Sequence, residues 1–163
     1  MTATFVRALL DRLALSPVRL RALLTGLPER ALRAAPPGGG FSPLEDAWHL
    51  RDIEVEAHHP RIRRILAEER PLLASIDGER LARERRYVER ELATAIDEFA
   101  QHREATVGLL GTLPVETWSR KAIFEDRDIK LSELVTAMAE HDESHLTALT
   151  ARLAGTSAGV HAS

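Results

Sequence analysis

Four segments of this 163-residue chain place apolar side chains at intervals of three and four, and glycine or proline closes the first three. That spacing returns side chains to one face of a helix, whereas a half-buried strand needs strict alternation. The first segment, residues 4–25, carries Phe5, Leu9, Leu13, Leu20 and Leu24 and stops at Gly26 and Pro28. Pro17 is expected to kink it or divide it. After the loop Pro36-Pro37-Gly38-Gly39-Gly40, the run Ser42-Pro43-Leu44-Glu45 offers an N-cap serine, a first-turn proline and a capping-box glutamate. The helix it opens should reach Glu69, with a kink or break near His59 because Pro60 lies inside it. Residues 71–86 are expected to connect, turning at Asp77-Gly78.

A third helix over 84–112 would bury Val88, Leu92, Ile96, Phe99, Thr106 and Leu110, and Gly111 and Pro114 end it. A polar connection at 114–130 leads to a fourth helix, 131–153, with Leu134, Met138, His141, His145 and Leu149 on its inner stripe. Leu, Ala, Arg and Glu dominate, the residues that lose least on entering a helix. The expectation is one all-α domain over 1–155, a four-helix bundle, followed by a flexible tail at 156–163. Leu27-Pro28-Glu29 and Leu113-Pro114-Val115 form a faint internal echo, each following a helix and preceding a longer loop.

A net charge of −3 argues against a nucleic-acid surface. With no cysteine there is no disulfide, thiolate ligand or cysteine nucleophile. Arg7, Asp11 and Arg12 interrupt the N-terminal apolar residues, so no signal peptide is read, and no stretch has membrane-spanning length. A cytoplasmic protein without a membrane partner is expected.

Chemistry concentrates in His141-Asp142-Glu143-Ser144-His145. Histidines four apart stand one above the other on a helix, and imidazole is the commonest protein ligand for transition metals. Among seven histidines chance supplies about 0.3 such pairs, so two core histidines bonded to carboxylates are the alternative. His49, within Trp48-His49-Leu50-Arg51-Asp52, completes a three-histidine set if the second helix packs beside the fourth; by itself it is a core or capping residue. Three neutral nitrogens leave open positions, as in a catalytic site. Zn, Ni or Fe would suit them, because sulfur ligands are absent and Mg or Ca prefers oxygen.

Ser-Pro-x-Glu-x-x-Trp-His-Leu-x-Asp at 42–52, a central helix with Phe99 and Arg103, and Leu-Ser-Glu-Leu…His-Asp-x-x-His-Leu at 131–146 together resemble the DinB-like metalloprotein superfamily. That superfamily includes bacterial thiol-dependent S-transferases. The resemblance spans residues 4–153 and departs from the pattern at Asp128, at Lys130 and in His58-His59-Pro60. It implies an up-down-down-up bundle with long crossover loops, a homodimer, and a divalent metal on His49, His141 and His145. It also implies transfer of a low-molecular-weight thiol, such as bacillithiol or mycothiol, to an electrophilic small-molecule substrate. A stress-related bundle that binds metal without catalysis is the alternative.

Asp52 is read as an acceptor behind His49, a fourth ligand or a solvated charge. His102 and Arg103 are read as substrate contacts facing the metal or as salt-bridge partners. Glu45 is a capping residue rather than a base, Trp48 and Trp118 are packing residues, and His58 and His59 are surface residues. His161, in the tail, could take up metal adventitiously. The zinc-protease pattern His-Glu-x-x-His is not met, because Asp142 replaces its glutamate and a third ligand would come from upstream.

Overall fold

The computed structural model describes residues 2–159, without the side chains beyond 155, so His161 and the end of the tail lie outside the described residues. Helix α1, Ala3–Leu24, is capped by Thr2, whose hydroxyl accepts the Phe5 N–H at 3.2 Å. Pro17 does not divide it. A proline removes the N–H that would bond the carbonyl four residues back, and Arg103 Nη1 donates to that Leu13 carbonyl instead, at 3.1 Å. Phe5, expected on the apolar stripe, is 48% exposed.

After the single turn α2, Glu29–Leu32, the expected capping box starts α3, Pro43–Ile53: the Glu45 carboxylate accepts the Ser42 N–H at 2.8 Å and the Ser42 hydroxyl accepts the Glu45 N–H. The interruption expected near His59 is one wide π-type turn, Glu54–His58, in which the His59 N–H reaches back five residues to the Glu54 carbonyl. Helix α4, His59–Ala67, continues from it. Pro60 is the cause, since its ring would meet the carbonyl four residues back in a regular helix and it has no N–H to give.

Four sequence expectations need correction. Residues 71–86 are not only a connection, because they contain α5, Gly78–Glu84, capped by Asp77, whose carboxylate accepts the Arg80 N–H at 2.9 Å. Helix α6 is Leu92–Gly111, and Val88 sits before it in a 3-10 turn, 43% exposed rather than in the stripe. The polar connection folds into a hairpin, β1 Lys121–Phe124 against β2 Arg127–Lys130, turning through Glu125 and Asp126, which both have positive φ. Paired positive φ values are those of the tight hairpin turns whose twist matches the strands; Glu-Asp lacks the usual glycine, which hid the turn. Helix α7 then runs Leu131–Gly159, past Leu153 and into the region expected to be tail.

Packing fixes the topology. At one end Leu20 and Leu24 cluster with Leu44, Trp48, Ile96, Phe99, Leu146 and Leu149; at the other, Leu9 and Leu13 join Ile62, Ile65, Leu110, Leu131 and Met138. Thus α1 and α7 run one way, while α3–α4 and α6 run the other. This is the expected up-down-down-up bundle. The parallel pair is the second and third helices, so the obligatory crossover is the 68–91 segment that carries α5.

A polar layer lies between the two clusters. Buried Arg103 donates to Asp142 at 2.5 Å and to Glu54 at 3.1 and 2.8 Å. Thr106 also donates to Glu54, and His59 Nδ1 stands 2.9 Å from the Thr106 hydroxyl. Replacing Arg103 by Met would leave two buried carboxylates and the Leu13 carbonyl without their donor. The expected loss is about 3–5 kcal/mol in urea unfolding; a loss near zero would show that the layer does not hold the bundle together.

Candidate metal centre

The capping box fixes where α3 begins, and with it the register that turns His49 towards α7. On α7, His141 and His145 stand one turn apart. The three side chains each offer a ring nitrogen, and these atoms lie within 4.8 Å of one another. His49 Nε2 and His141 Nε2 are 3.1 Å apart. Metal–imidazole bonds of about 2.1 Å place ligand nitrogens about 3.0–3.4 Å apart, so that pair already has a suitable separation.

The surroundings orient one ring and keep another, that of His49, neutral. His145 Nδ1 lies 2.7 Å from an Asp46 carboxylate oxygen, which assigns the ring proton to Nδ1 and leaves Nε2 with its lone pair. Asp46 is held in turn by Arg152 at 3.3 Å. Burial, with the neighbouring His145 and His141, pushes the His49 imidazole down to about 3. The Nδ1 atoms of His49 and His141 are buried without a hydrogen-bond partner. Gly78, first residue of α5, lies against His49: a Cβ there would stand 2.6 Å from the ring Cε1, so only glycine allows this approach.

The other sequence candidates separate. Asp52 is 0% exposed and accepts from Arg51 and Arg85 at 2.7 Å and from the Tyr87 hydroxyl at 2.6 Å. It is therefore neither solvated nor bonded to His49. Burial, and then this bond to Asp52, raise the Tyr87 phenol well above its ordinary range. Arg103 serves the polar layer rather than a substrate, and His102 is half-buried away from the three histidines. Burial opposes ionisation of Asp142, but the adjacent His141 and the Arg103 guanidinium outweigh it and hold its carboxyl well below the usual range.

His58 reverses its expectation as a surface residue. In a regular helix it would point about 180° from His49, nine residues earlier. The wide turn adds about one residue, or 100°, of phase, and His58 is 6% exposed with its ring edge-on to His141, centroids 5.8 Å apart. His59 is half-buried against Thr106 rather than exposed. Sequence reading missed three contributors. Asp46, three residues before His49 on the same helical face, carried a readable signal; Gly78 and the inward His58 depend on tertiary packing and did not.

His49, His58 and His141 line a cleft of ≈ 460 Å³ between the wide turn, α7 and the hairpin, within the range of small-molecule sites. A four-helix bundle with three histidines gathered between its second and fourth helices is the class that fold and site define. A family model described as the DinB superfamily matches residues 12–149, and the chain belongs to that superfamily. Its structure is similar to that of YfiT from Bacillus subtilis, described as a probable metal-dependent hydrolase with an unusual four-helix bundle topology. The TM-score is 0.86 at 18% identity, covering 94% of this chain and 90% of that one. At that identity the likeness shows the fold alone. No curated protein matches the sequence. Among the described residues no helix is long and apolar enough to cross a membrane.

Two outcomes follow from the centre's geometry. Asp46→Ala and Gly78→Ala should each weaken metal binding about 10–100-fold in a competition titration, the first by freeing the His145 ring and the second by displacing that of His49; unchanged affinities would show that neither residue sets a ring. For pH, the unfolded chain takes up a proton near 6.5 that folded His49 refuses until about 3. Stability of the metal-free protein is therefore present above about 6.5 and falls as pH drops towards 3. Tm measured across that window should decline, and His49→Gln should make the decline shallower.

Proposed function

We propose that His49, His141 and His145 hold one divalent transition metal ion, Zn, Ni or Fe, and that this single-domain chain is a metal-dependent enzyme acting on a small molecule. The observation that carries the reading is the convergence of three imidazoles, one with its tautomer set by Asp46 and the other two at the wall of a cleft of small-molecule size. The donor set fits such an ion: three neutral nitrogens, no sulfur, and a carboxylate behind one ring rather than in the ligand set. A bound divalent ion would lower the pKa of a coordinated thiol or water and so supply a nucleophile near neutral pH.

The chain's own residues do the remaining work. Asp46 and Gly78 fix two rings. Ile53, Leu134 and Met138 give the cleft apolar walls that limit water. Since the chain has no cysteine, a thiol nucleophile would arrive as a low-molecular-weight cosubstrate and attack an electrophilic substrate. The description of YfiT as a probable metal-dependent hydrolase supports metal-assisted attack in general, with water as the other nucleophile.

The test has two stages. Metal analysis should find close to one ion per chain in the wild type and a loss of it in His49→Ala and His145→Ala; full metal content in both variants would disprove the ligand set. The metal-loaded protein is then assayed with low-molecular-weight thiols against electrophiles, and with simple esters and amides without thiol. Thiol-dependent turnover that a chelator abolishes is expected. Thiol-independent hydrolysis would make water the nucleophile, and flat rates throughout would leave a stress-related metal-binding bundle. Sedimentation will show whether it is the expected homodimer.

A further inference from the structure

The cleft has a second functional end, away from the three histidines. Arg61, on α4, reaches it with its guanidinium 4.6 Å from the centre of the Phe124 ring, while Nε and Nη2 donate to the Ala74 carbonyl at 3.2 and 2.6 Å. Burial lowers its pKa, which marks a partly desolvated cation, and Glu125 offsets this only in part. Arginine stays charged nonetheless, so its attraction to an added anion is screened less than that of an exposed cation. Arg127, on β2, lines the same cleft and pairs with no carboxylate among the described residues. Two cations therefore border a space whose walls are otherwise mostly apolar.

His58 lies between this end and the three histidines. Both of its ring nitrogens are buried and unpartnered, and the residue lines the cleft. A buried polar group without a partner costs free energy comparable to a lost hydrogen bond. Neither nitrogen is open to the cleft as the ring stands, so a ligand there supplies that partner by a turn of the ring towards it. The two carboxylates at the rim limit how much negative charge is welcome. Glu133 is committed to the Lys130 N–H at 2.6 Å, and Glu125 faces Arg61 electrostatically. With Arg61 and Arg127 they bring the charged side chains of the cleft to balance, so a dianion meets more repulsion there than a monoanion.

We propose that the cleft binds a small organic carboxylate: its apolar body on Ile53, Ile129, Leu134 and Met138, its carboxylate on Arg61 and Arg127, and a polar atom on His58. This names the substrate class for the metal-dependent reading and rests on it for catalytic meaning, but the binding itself needs no metal. The carboxylate would be anchored at the hairpin end, so the other end of the molecule is presented to His49, His141 and His145.

Chelator-treated protein is titrated with phenylacetate, its neutral analogue phenylacetamide, and phenyl phosphate, with amide shifts followed by NMR. Phenylacetate is expected to bind at millimolar concentration or below, about tenfold tighter than the amide, with shifts at His58, Ile129 and Met138. Arg61→Gln should lower its affinity about tenfold and Arg127→Gln about threefold, while binding of the amide is unchanged. Arg127 is exposed and bears on no core contact, so its variant informs even if Arg61→Gln perturbs the Ala74 loop. Equal affinity for acid and amide, tighter binding of phenyl phosphate, or no saturable binding at millimolar concentration would overturn the proposal. Metal content of the same variants is read separately: its loss only in the histidine variants supports the metal site, and metal-free wild type with intact acid binding would defeat the metal reading alone.

Discussion

The Arg103 guanidinium, buried in the middle of the bundle, is the constraint on which the rest depends. It meets Asp142 on α7, Glu54 at the start of the wide turn and the Leu13 carbonyl that Pro17 leaves free on α1. One side chain from α6 thus ties together all four helices of the bundle. A buried ion pair adds little to stability compared with a hydrophobic replacement, because desolvation offsets the attraction. Its value lies in specifying one arrangement. Asp142 follows His141 directly, and Glu54 opens the turn that brings His58 inward. The same contacts that satisfy the charge therefore set the rotation of α7 and the phase of the second helix, and both decide where imidazoles point.

The pair on α7 was legible because it is local to one helix, whereas His49 was joined to it through the resemblance and the packing that it implies. Helical spacing placed His141 above His145, and the Ser42–Glu45 capping box fixed the start of α3 and with it the facing of His49. The bundle was legible for a similar reason, since apolar stripes at intervals of three and four, broken at Gly26 and Gly111, are a property of the chain itself. What stayed hidden depends on contacts distant in sequence. The strands at 121–130 are only four residues each, and the hairpin is anchored from outside, by the Leu73 N–H on the Ile123 carbonyl and the Ile123 N–H on the Pro71 carbonyl. Asp52 was read beside His49 because it lies three residues on, yet apart from Arg51 its partners come from residues 85 and 87. Pro60 announced an interruption, but a kink and a wide turn look alike in sequence, and only the second buries His58.

Charge in the centre is arranged with restraint. No carboxylate joins the three imidazoles as a potential ligand among the described residues, and the nearest ones are each committed elsewhere. Asp46 is shared between His145 and Arg152, and Asp142 is held by Arg103. A neutral donor set would leave the full charge of a divalent ion, were one held there, directed at whatever shared its coordination. That is the condition under which a coordinated thiol or water loses its proton most readily. The exposed pairs elsewhere, such as Arg64–Glu68 and Arg19–Glu143, are screened by solvent and add little to the fold.

The connections, rather than the helices, decide what can approach the histidines. Helix α5 closes one side of His49, where Gly78 leaves no room for a side chain, and the Phe41 ring lies 5.0 Å from the same imidazole. On the other side the hairpin and the wide turn hold the cleft open next to His141. His49 and His141 are approached from the hairpin side, while His145, part-exposed, lies outside the cleft lining. The ligand positions depend on helix register, which the core at both ends enforces. The cleft depends on the 68–91 crossover and the 121–130 hairpin, which reach the core through a few side chains, Leu73, Ala82, Tyr87 and Ala122. Substitutions in those connections can therefore reshape the cleft, which Phe124 and Arg127 line, while the three imidazoles keep their places.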